Sequence, residues 1–185
     1  MLPAETKNRS SIKKLLRHWL FVRPIVRELR GLTLDIGCGT GDFMRAYRGE
    51  SVGIDNEPLC VSCCQSQGLD VVLRDAHDYQ PLQKFDSILL HCLLEHVDRP
   101  TEVLRRTDQM LNSGGRVVIT LPCMANFILG LNDWYGHKQF VTVEYVDRCL
   151  VQELGYRRIQ RRTFPPIDLP YLWRYREVRC IYEKP

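Results

Sequence analysis

Three aspartates and one glycine-rich run are the residues of this chain whose types and spacing could do chemistry. Asp35 stands just before the run Gly-Cys-Gly-Thr-Gly at 37–41, and Asp55 and Asp75 follow at intervals of 20 residues. Glycines permit a tight turn and let a ligand approach the main chain closely. Carboxylates can accept hydrogen bonds from ribose hydroxyls and from the amino group of a base. The set predicts a site for a nucleoside-containing ligand, and a glycine turn without a ligand is the plainer alternative.

The glycine run needs a strand before it and a helix after it to form such a site. Residues 32–36 are mainly apolar and are typical of a buried strand, and Phe43, Met44 and Tyr47 have helical spacing. The pattern repeats, with strands predicted at 51–55, 70–74, 85–91 and 116–121 and helices at 58–67, 99–112 and 143–154. Gly114 and Gly115 are expected to stop the helix at 99–112. Strands that alternate with helices indicate an α/β fold with parallel pairing and right-handed crossovers.

Parallel pairing would bring the three aspartates together. Asp55 ends the second strand and Asp75 the third, and open α/β sheets bind ligands at the edge where parallel strands deliver their carboxyl ends. We therefore expect Asp35, Asp55 and Asp75 in one crevice, with Asp55 on the ribose and Asp75 on the adenine amino group. The small Ala76 leaves room for the adenine ring. Taken singly, each aspartate could instead be an exposed turn residue or a helix cap.

The remaining segments predict one domain with a helical extension. Residues 11–30 have mainly helical spacing that Pro24 interrupts, so residues 1–30 are expected to form an N-terminal helical cap and residues 31–185 the ligand-binding domain. Strands at 157–164 and 177–182 follow one another without a clear helix, which favours an antiparallel pair. Residues 122–142 and 165–176 are predicted to be loops that cover the site. Only residues 76–84 separate the third and fourth strands, so a helix there must be short or absent.

Composition argues against several classes of protein. The 185 residues are 44% hydrophobic and 26% charged, an ordinary globular mixture. No apolar run approaches the roughly 20 residues that span a bilayer. The first residues lack the apolar segment of a secretory signal, so a cytoplasmic location is expected. Cys60 and Cys63 have the spacing of a metal knuckle, but no second pair of ligands matches them. We therefore expect eight reduced thiols and no metal.

Charge is distributed unevenly along the chain. The net charge is +4, yet residues 1–30 carry +6, residues 31–147 carry −7 and residues 148–185 carry +5. Basic ends that face the site would favour an anionic ligand or a lipid surface, and solvated faces are the alternative. Nucleic acid is the less favoured partner, because the aromatic residues do not interleave with a continuous basic stripe. The basic residues in question are Lys13, Lys14, Arg17, Arg161 and Arg162.

The ordered set of segments resembles the class I S-adenosylmethionine-dependent methyltransferases. LDIGCGTGDF is similar to the first motif of that family, VGIDNEP to the second, RDAHDY to the third and FDSILLHCLLEHVDRP to the fourth. The stretch GHKQFVTVEYVDRCLVQELGY resembles a passage of a small-molecule and quinone methyltransferase subgroup. The resemblance implies a Rossmann-like, doubly wound and mostly parallel sheet of seven strands with helices on both faces and the last strand antiparallel. It also implies S-adenosyl-L-methionine as the cofactor and S-adenosyl-L-homocysteine as its product.

The resemblance assigns cofactor contacts residue by residue. The glycine run would hold the methionine end of the cofactor, Asn56 would lie beside the adenine, and His91 would adjoin the methionine portion. The cofactor-binding residues expected are Asp35, Gly37, Cys38, Gly39, Gly41, Asp55, Asn56, Asp75, Ala76 and His91.

The acceptor side is less clearly marked. His96 follows the fourth strand, where a structural hydrogen bond is the alternative to substrate contact. Trp134, Tyr135 and His137 lie in an aromatic stretch that we expect over the acceptor pocket, with His137 as a base, a substrate ligand or a loop anchor. A general base is needed only if the acceptor must lose a proton, so no catalytic residue is assigned. His77 is expected at the surface.

The resemblance implies a methyltransferase of class EC 2.1.1 that acts on an oxygen, nitrogen or carbon atom of a small molecule. One alternative is a non-catalytic domain that binds the cofactor and serves regulation. The other is an NAD-dependent oxidoreductase, but Asp42 follows Gly41 directly, so the dinucleotide pattern G-x-G-x-x-G fails. The carboxylate of Asp42 would also repel a pyrophosphate.

Overall fold

A computed structural model describes residues 15–123, 136–164 and 177–185 of the chain. The strands form one seven-stranded sheet in the order β3-β2-β1-β4-β5-β7-β6. Strands β1 to β5 pair in parallel, and β7 runs antiparallel between β5 and β6. The strands are β1 (Thr33–Ile36), β2 (Ser51–Asp55), β3 (Val71–Leu73), β4 (Phe85–His91), β5 (Leu111–Pro122), β6 (Arg157–Phe164) and β7 (Glu177–Glu183).

Helices cover both faces of this sheet. The first two segments form one continuous helical stretch, and the last two do likewise; π-helical hydrogen bonding occurs in α1 and α7. No helix among the described residues is both long enough and apolar enough to cross a membrane. The helices are α1 (His18–Val22), α2 (Arg23–Val26), α3 (Asp42–Ala46), α4 (Pro58–Gln65), α5 (Pro100–Met110), α6 (Val143–Asp147) and α7 (Arg148–Glu153).

Alternate residues of the central strands build two separate cores. Ile88 and Leu90 of β4 join a large cluster that includes Leu104 of α5. Leu89 points to the opposite face and joins a smaller cluster with Ile25 of α2. The helical segment before β1 is thus part of the packed structure, and it covers the face onto which the side chain of Leu89 projects.

The predicted architecture is confirmed, and the boundaries differ in informative ways. The helix predicted at 99–112 ends at Met110, because Leu111 is extended, buried and paired with Phe85 of β4. Gly114 and Gly115 therefore lie inside β5 and do not stop a helix. Pairing in the sheet has overridden the local helix signal. Residues 76–84, all within the described part, contain no helix, as their short length predicted.

Candidate functional site

The carboxyl ends of β1, β2 and β3 meet beside the point where the strand order reverses. Strand β1 pairs with β2 on one side and with β4 on the other, and open α/β sheets bind ligands at such a point. Asp35 of β1 is in register with Gly53, Asp55 ends β2, and Asp75 follows β3 by two residues. The structure thus brings the three aspartates to one edge of the sheet.

Asp55 fixes the glycine run against the start of α4. Its Oδ2 accepts a hydrogen bond from the backbone N–H of Gly39 at 2.8 Å. Its Oδ1 accepts from the backbone N–H of Glu57 at 2.9 Å. A carboxylate offers about four lone-pair sites, so Asp55 retains acceptor capacity for the hydroxyls of a ligand.

The glycine run turns through left-handed backbone. Gly37, Gly39 and Gly41 have φ values of +74°, +53° and +79°. A Cβ atom added at Gly41 would lie 2.5 Å from Cδ1 of Leu69, so both the left-handed backbone and the close side chain favour glycine there. A Cβ atom added at Gly39 would meet no described atom within 4 Å. The main chain at Gly39 therefore borders open space, where a ligand can approach it.

Asp35 is a buried carboxylate without a counterion in the described structure. Its exposed fraction is 2%, and neither carboxylate oxygen has a hydrogen-bond partner among the described residues. Burial, with the nearby charges of Asp55 and Asp42, raises the pKa of Asp35 from 3.8 to about 7. An ionised carboxylate in such a place is costly unless a cation joins it. Asp35 is therefore suited to receive a positively charged part of a ligand.

Asp75 organises the part of the site that follows β3; we call the space along the carboxyl ends of β1, β2 and β3 the groove. Its carboxylate accepts from the His77 backbone N–H at 2.8 Å, and its Oδ1 lies 2.6 Å from His77 Nδ1. Burial opposes ionisation, but the hydrogen bonds from His77 and from the side chain of Asn56 together lower the pKa of Asp75. Ala76, which lies between Asp75 and His77 in the sequence, is also buried. The expectation that His77 is a surface residue is wrong, because its ring is drawn in by Asp75 and only 8% of the residue is exposed.

Cys38 takes a different place from the glycines around it. Its side chain is buried in an apolar cluster with Met44, Val61 and Cys64. Its thiol has a pKa raised above the ordinary value, mainly by burial and then by the negative charge of Asp35. Any contact of Cys38 with a ligand in the groove would therefore involve its main chain.

His91 ends β4 within a buried polar cluster. Its Nδ1 lies 2.7 Å from Oγ1 of Thr120, and its ring meets that of Phe43 edge-to-face at 4.5 Å between centroids. Burial and the positive charges of Arg17 and Arg179 lower the pKa of His91 to about 3. The imidazole is therefore neutral at physiological pH and offers shape and a hydrogen bond, not a positive charge.

Sequence reasoning missed several residues beyond β4. Cys92 has a positive φ of 45°, and among the described residues other than glycine it is the only one with positive φ. Its thiol donates to the carboxylate of Glu95, which is 2% exposed and whose pKa burial raises to about 7. Glu177 and Arg179 of β7 form a buried ion pair at 3.1 Å. The one available signal was Glu95 within the motif LEHV.

The predicted acceptor-side residues are only partly described. Trp134 and Tyr135 lie outside the described residues. His96 and His137 pack edge-to-face with ring centroids 4.7 Å apart, and Nδ1 of His96 lies 3.2 Å from the carbonyl oxygen of Gly136. Burial, and then the neighbouring His96, lowers the pKa of His137. The structure thus joins two histidines that the sequence had marked separately.

The described members of the basic set, Arg17, Arg161 and Arg162, lie on different parts of the fold. Lys13 and Lys14 lie outside the described residues. Arg17 is ion-paired with the carboxylate at the start of α3, beside the glycine run. Arg161 is paired with a carboxylate of α6 at 3.3 Å, and it lies with Arg162 on the outermost strand, β6. Arg17 and Arg161 are paired with carboxylates, and the described arginines lie on different elements. Their attraction for a single anionic ligand is therefore reduced.

Comparison with known proteins is consistent with this geometry. Residues 34–119 match the family model described as "Methyltransferase domain". A tRNA U34 carboxymethyltransferase of Shewanella piezotolerans is 28% identical over 136 residues, which are 64% of this chain and 41% of that protein. A ubiquinone biosynthesis O-methyltransferase of Aeromonas salmonicida is 37% identical over 98 residues, 47% of this chain and 41% of that protein. The chain thus spans about two fifths of the length of these relatives.

A solved structure extends the likeness to the whole fold. The N-methyltransferase NodS of Bradyrhizobium japonicum, in complex with S-adenosyl-L-homocysteine, superposes with a TM-score of 0.72 at 16% identity, and the match covers 99% of this chain and 92% of that one. The family match over residues 34–119 agrees with the resemblance that the sequence motifs predicted. Residues 34–119 match the methyltransferase domain model, and the described chain has the class I methyltransferase fold.

Proposed function

We propose that this chain binds S-adenosyl-L-methionine and catalyses transfer of its methyl group to a small organic acceptor. The observation that carries the proposal is the buried, unpartnered carboxylate of Asp35 next to the open main chain of Gly39. S-adenosylmethionine brings a cationic amino group and a cationic sulfonium to the methionine end of the molecule. A groove with an uncompensated carboxylate at that end fits this ligand.

The other groove residues fit the nucleoside half of the cofactor. The main chain of Gly37, Gly39 and Gly41 would lie along the methionine end, with Cys38 contributing only its backbone. Asp55 would accept from the ribose hydroxyls with the lone pairs that Gly39 and Glu57 leave free. Asp75, Asn56 and Ala76 would bound the adenine, and His91 would close the methionine side as a neutral ring.

The protein itself forms and breaks no covalent bond in methyl transfer. When bound, the cofactor supplies a methyl carbon to which an acceptor atom bonds, while the carbon–sulfur bond breaks and its electron pair stays on sulfur. The chain orients the two partners and keeps water away. The acceptor proton leaves to solvent or to a base. We infer that an acceptor would enter on the side of the strained turn at Cys92 and of the ring pair formed by His96 and His137.

A small organic acceptor is favoured over RNA by the arrangement of charge. Arg157, Arg158 and Arg161 of β6 are each ion-paired with a carboxylate of the described chain, so they offer little free charge to phosphates. The test is transfer of a labelled methyl group to a panel of phenols, quinols, amines and carboxylic acids, with total tRNA as a parallel arm. Label on a small molecule supports the proposal. Label on tRNA alone would show that the acceptor is RNA and not a small molecule, and it would leave the cofactor assignment intact.

Asp55→Ala tests the cofactor half of the proposal. The variant should bind S-adenosylhomocysteine about 1.5–3 kcal/mol more weakly, because hydrogen bonds to a charged group are lost. This corresponds to roughly a 10- to 150-fold increase in Kd, measured by calorimetry. Asp70→Ala is the matched control, since Asp70 is exposed just before β3, at the opposite edge of the sheet. Equal affinities for Asp55→Ala and wild type would show that Asp55 does not contribute to cofactor binding.

The two alternatives are separated by ligand binding and turnover. Arg17 and Arg45 both pair with Asp42, so the charge of Asp42 disfavours a pyrophosphate less than the sequence suggested. The glycine spacing still lacks the dinucleotide pattern. A rise in Tm with NAD and none with S-adenosylhomocysteine would favour the oxidoreductase. Binding of the cofactor without transfer to any acceptor in the panel would favour a regulatory domain.

A further inference from the structure

Glu95, His96 and His137 bring a carboxylate and two imidazoles to one place beyond β4. Glu95 and His96 lie in the segment between β4 and α5, and His137 lies in the segment that leads into α6. One donor atom from each of the three side chains lies within 4.8 Å of the other two. His137 is distant in sequence from Glu95 and His96, so the cluster exists only because the two segments meet.

Backbone hydrogen bonds hold the two segments together. The carbonyl oxygen of Glu95 accepts from the N–H groups of Lys138 at 2.8 Å and Gln139 at 3.3 Å. The Gln139 side chain donates to the carbonyl oxygen of Val97. If Nδ1–H of His96 donates to the carbonyl oxygen of Gly136, the Nε2 atom of His96 carries the lone pair that a metal requires. The donors are thus placed by contacts that do not depend on a bound ion.

The carboxylate of Glu95 supplies a second, independent observation. The residue is 2% exposed, and its Oε2 is buried with no hydrogen-bond partner among the described residues. The thiol of Cys92 donates a hydrogen bond to the same carboxylate. A buried carboxylate oxygen without a partner is costly, and a cation among three donors removes that cost.

We propose that Glu95, His96 and His137 bind a divalent first-row metal ion, with zinc as the reference ion. Two imidazoles and one carboxylate form a donor set of catalytic zinc sites, which keep a further coordination position open. Tetrahedral metal–ligand distances of about 2 Å place donor atoms about 3.3 Å apart, so the three donors must draw closer by up to about 1.5 Å through side-chain rotation. The spacing of the cysteines had predicted no metal; this site uses none of them as a ligand.

The position of the cluster suggests what it serves, and this step rests on the proposed function. Leu93 lies against the glycine run, since its Cδ1 would be 2.8 Å from a Cβ at Gly37. The segment that carries Glu95 and His96 therefore adjoins the cofactor groove. An acceptor with a hydroxyl or carboxylate oxygen could occupy the open position. We therefore assign oxygen-bearing ligands, such as phenols and enols, as the substrate class.

Metal binding is testable without any methyl transfer. Untagged protein is treated with a chelator, dialysed and titrated with Zn²⁺ by calorimetry and with Co²⁺ by visible absorption. We expect one equivalent of tightly bound metal and visible bands typical of nitrogen and oxygen ligands, without thiolate charge transfer. Glu95→Gln and His137→Gln should each weaken affinity at least tenfold, the lower end of the ~10–100-fold that loss of even a supporting group costs. His18→Gln is the control, since His18 is exposed on α1.

Each outcome decides the inference. Equal affinity in wild type and both variants, or a thiolate band, would place the metal elsewhere and overturn the site. Circular dichroism and Tm identify a variant that fails to fold, in which case the other variant carries the comparison. Absence of metal binding in a protein that still transfers methyl groups overturns this site alone. Metal binding in a protein that does not bind S-adenosylhomocysteine overturns the proposed function alone.

Discussion

Asp35→Asn is expected to stabilise the ligand-free protein at pH 8 and to weaken its binding of the cofactor. The pKa of Asp35 is raised to about 7, so between pH 4 and 7 the folded protein binds a proton that the unfolded chain has lost. The unfolding free energy therefore falls as the pH rises through this range. A shift of about three pKa units corresponds to an upper limit of about 4 kcal/mol. Asparagine has nearly the same shape and carries no charge, so the variant should escape this loss.

Urea unfolding at pH 4 and pH 8 measures the effect. The variant and the wild type should have similar stability at pH 4, and the variant should be the more stable at pH 8. Asp86→Asn is the matched control: hydrogen bonds from Asn112 and from the Leu32 backbone lower the pKa of Asp86, so removing its charge should destabilise the protein at pH 8. A loss of stability in Asp35→Asn at pH 8 would mean that Asp35 has a positive partner in the ligand-free protein.

The substitution Asp35→Asn should weaken cofactor binding even though it stabilises the ligand-free protein at pH 8. Loss of a charged hydrogen bond to the cofactor amino group costs about 1.5–3 kcal/mol, so Kd for S-adenosylhomocysteine should rise roughly 10- to 150-fold. Wild-type affinity should increase from pH 6 to pH 8 as Asp35 ionises, and the variant should lack that contribution to the increase. A variant that gains stability and keeps full affinity would show that the cofactor does not use Asp35.

The half of the site built on parallel strands could be predicted from the sequence. Each of Asp35, Asp55 and Asp75 stands at or near the carboxyl end of a short apolar strand, and parallel pairing places those ends side by side. One topological rule thus converts positions in the sequence into neighbours in space. The antiparallel pair of β6 and β7 was predicted because the sequence has no clear helix pattern between the two strands.

The half of the site beyond β4 could not be predicted in the same way. Glu95 and His137 meet because the backbone of residues 138 and 139 donates to the carbonyl oxygen of Glu95, and no side-chain pattern encodes such bonds. His77 is buried because Asp75 binds both its backbone and its ring. Leu111 leaves the helix because β4 pairs with it. For Glu95 and Leu111 a tertiary contact decided between two locally acceptable structures, whereas for His77 a local contact with Asp75 did so.

Gly39→Ala should abolish most cofactor binding while leaving the fold nearly intact. The added Cβ would touch no described atom within 4 Å, so the only cost to folding is the left-handed backbone at φ +53°, about 1–2 kcal/mol. The same methyl group would occupy the space in which the cofactor must approach the main chain. Overpacking of a fitted site costs about 3 kcal/mol at the upper end, so we expect Kd for S-adenosylhomocysteine to rise about 100-fold.

Gly68→Ala separates the loss of space from the strain of the backbone. Gly68 also has a positive φ, +76°, and a Cβ there would likewise meet no described atom within 4 Å, but the residue lies before β3 at the opposite edge of the sheet. Both variants should lose a similar amount of unfolding free energy, measured in urea, and only Gly39→Ala should lose affinity in calorimetry. If both variants bind the cofactor as the wild type does, the cofactor does not lie against the glycine run. If both lose affinity equally, destabilisation and not occupied space is the cause, because strain is the one property that the two substitutions share.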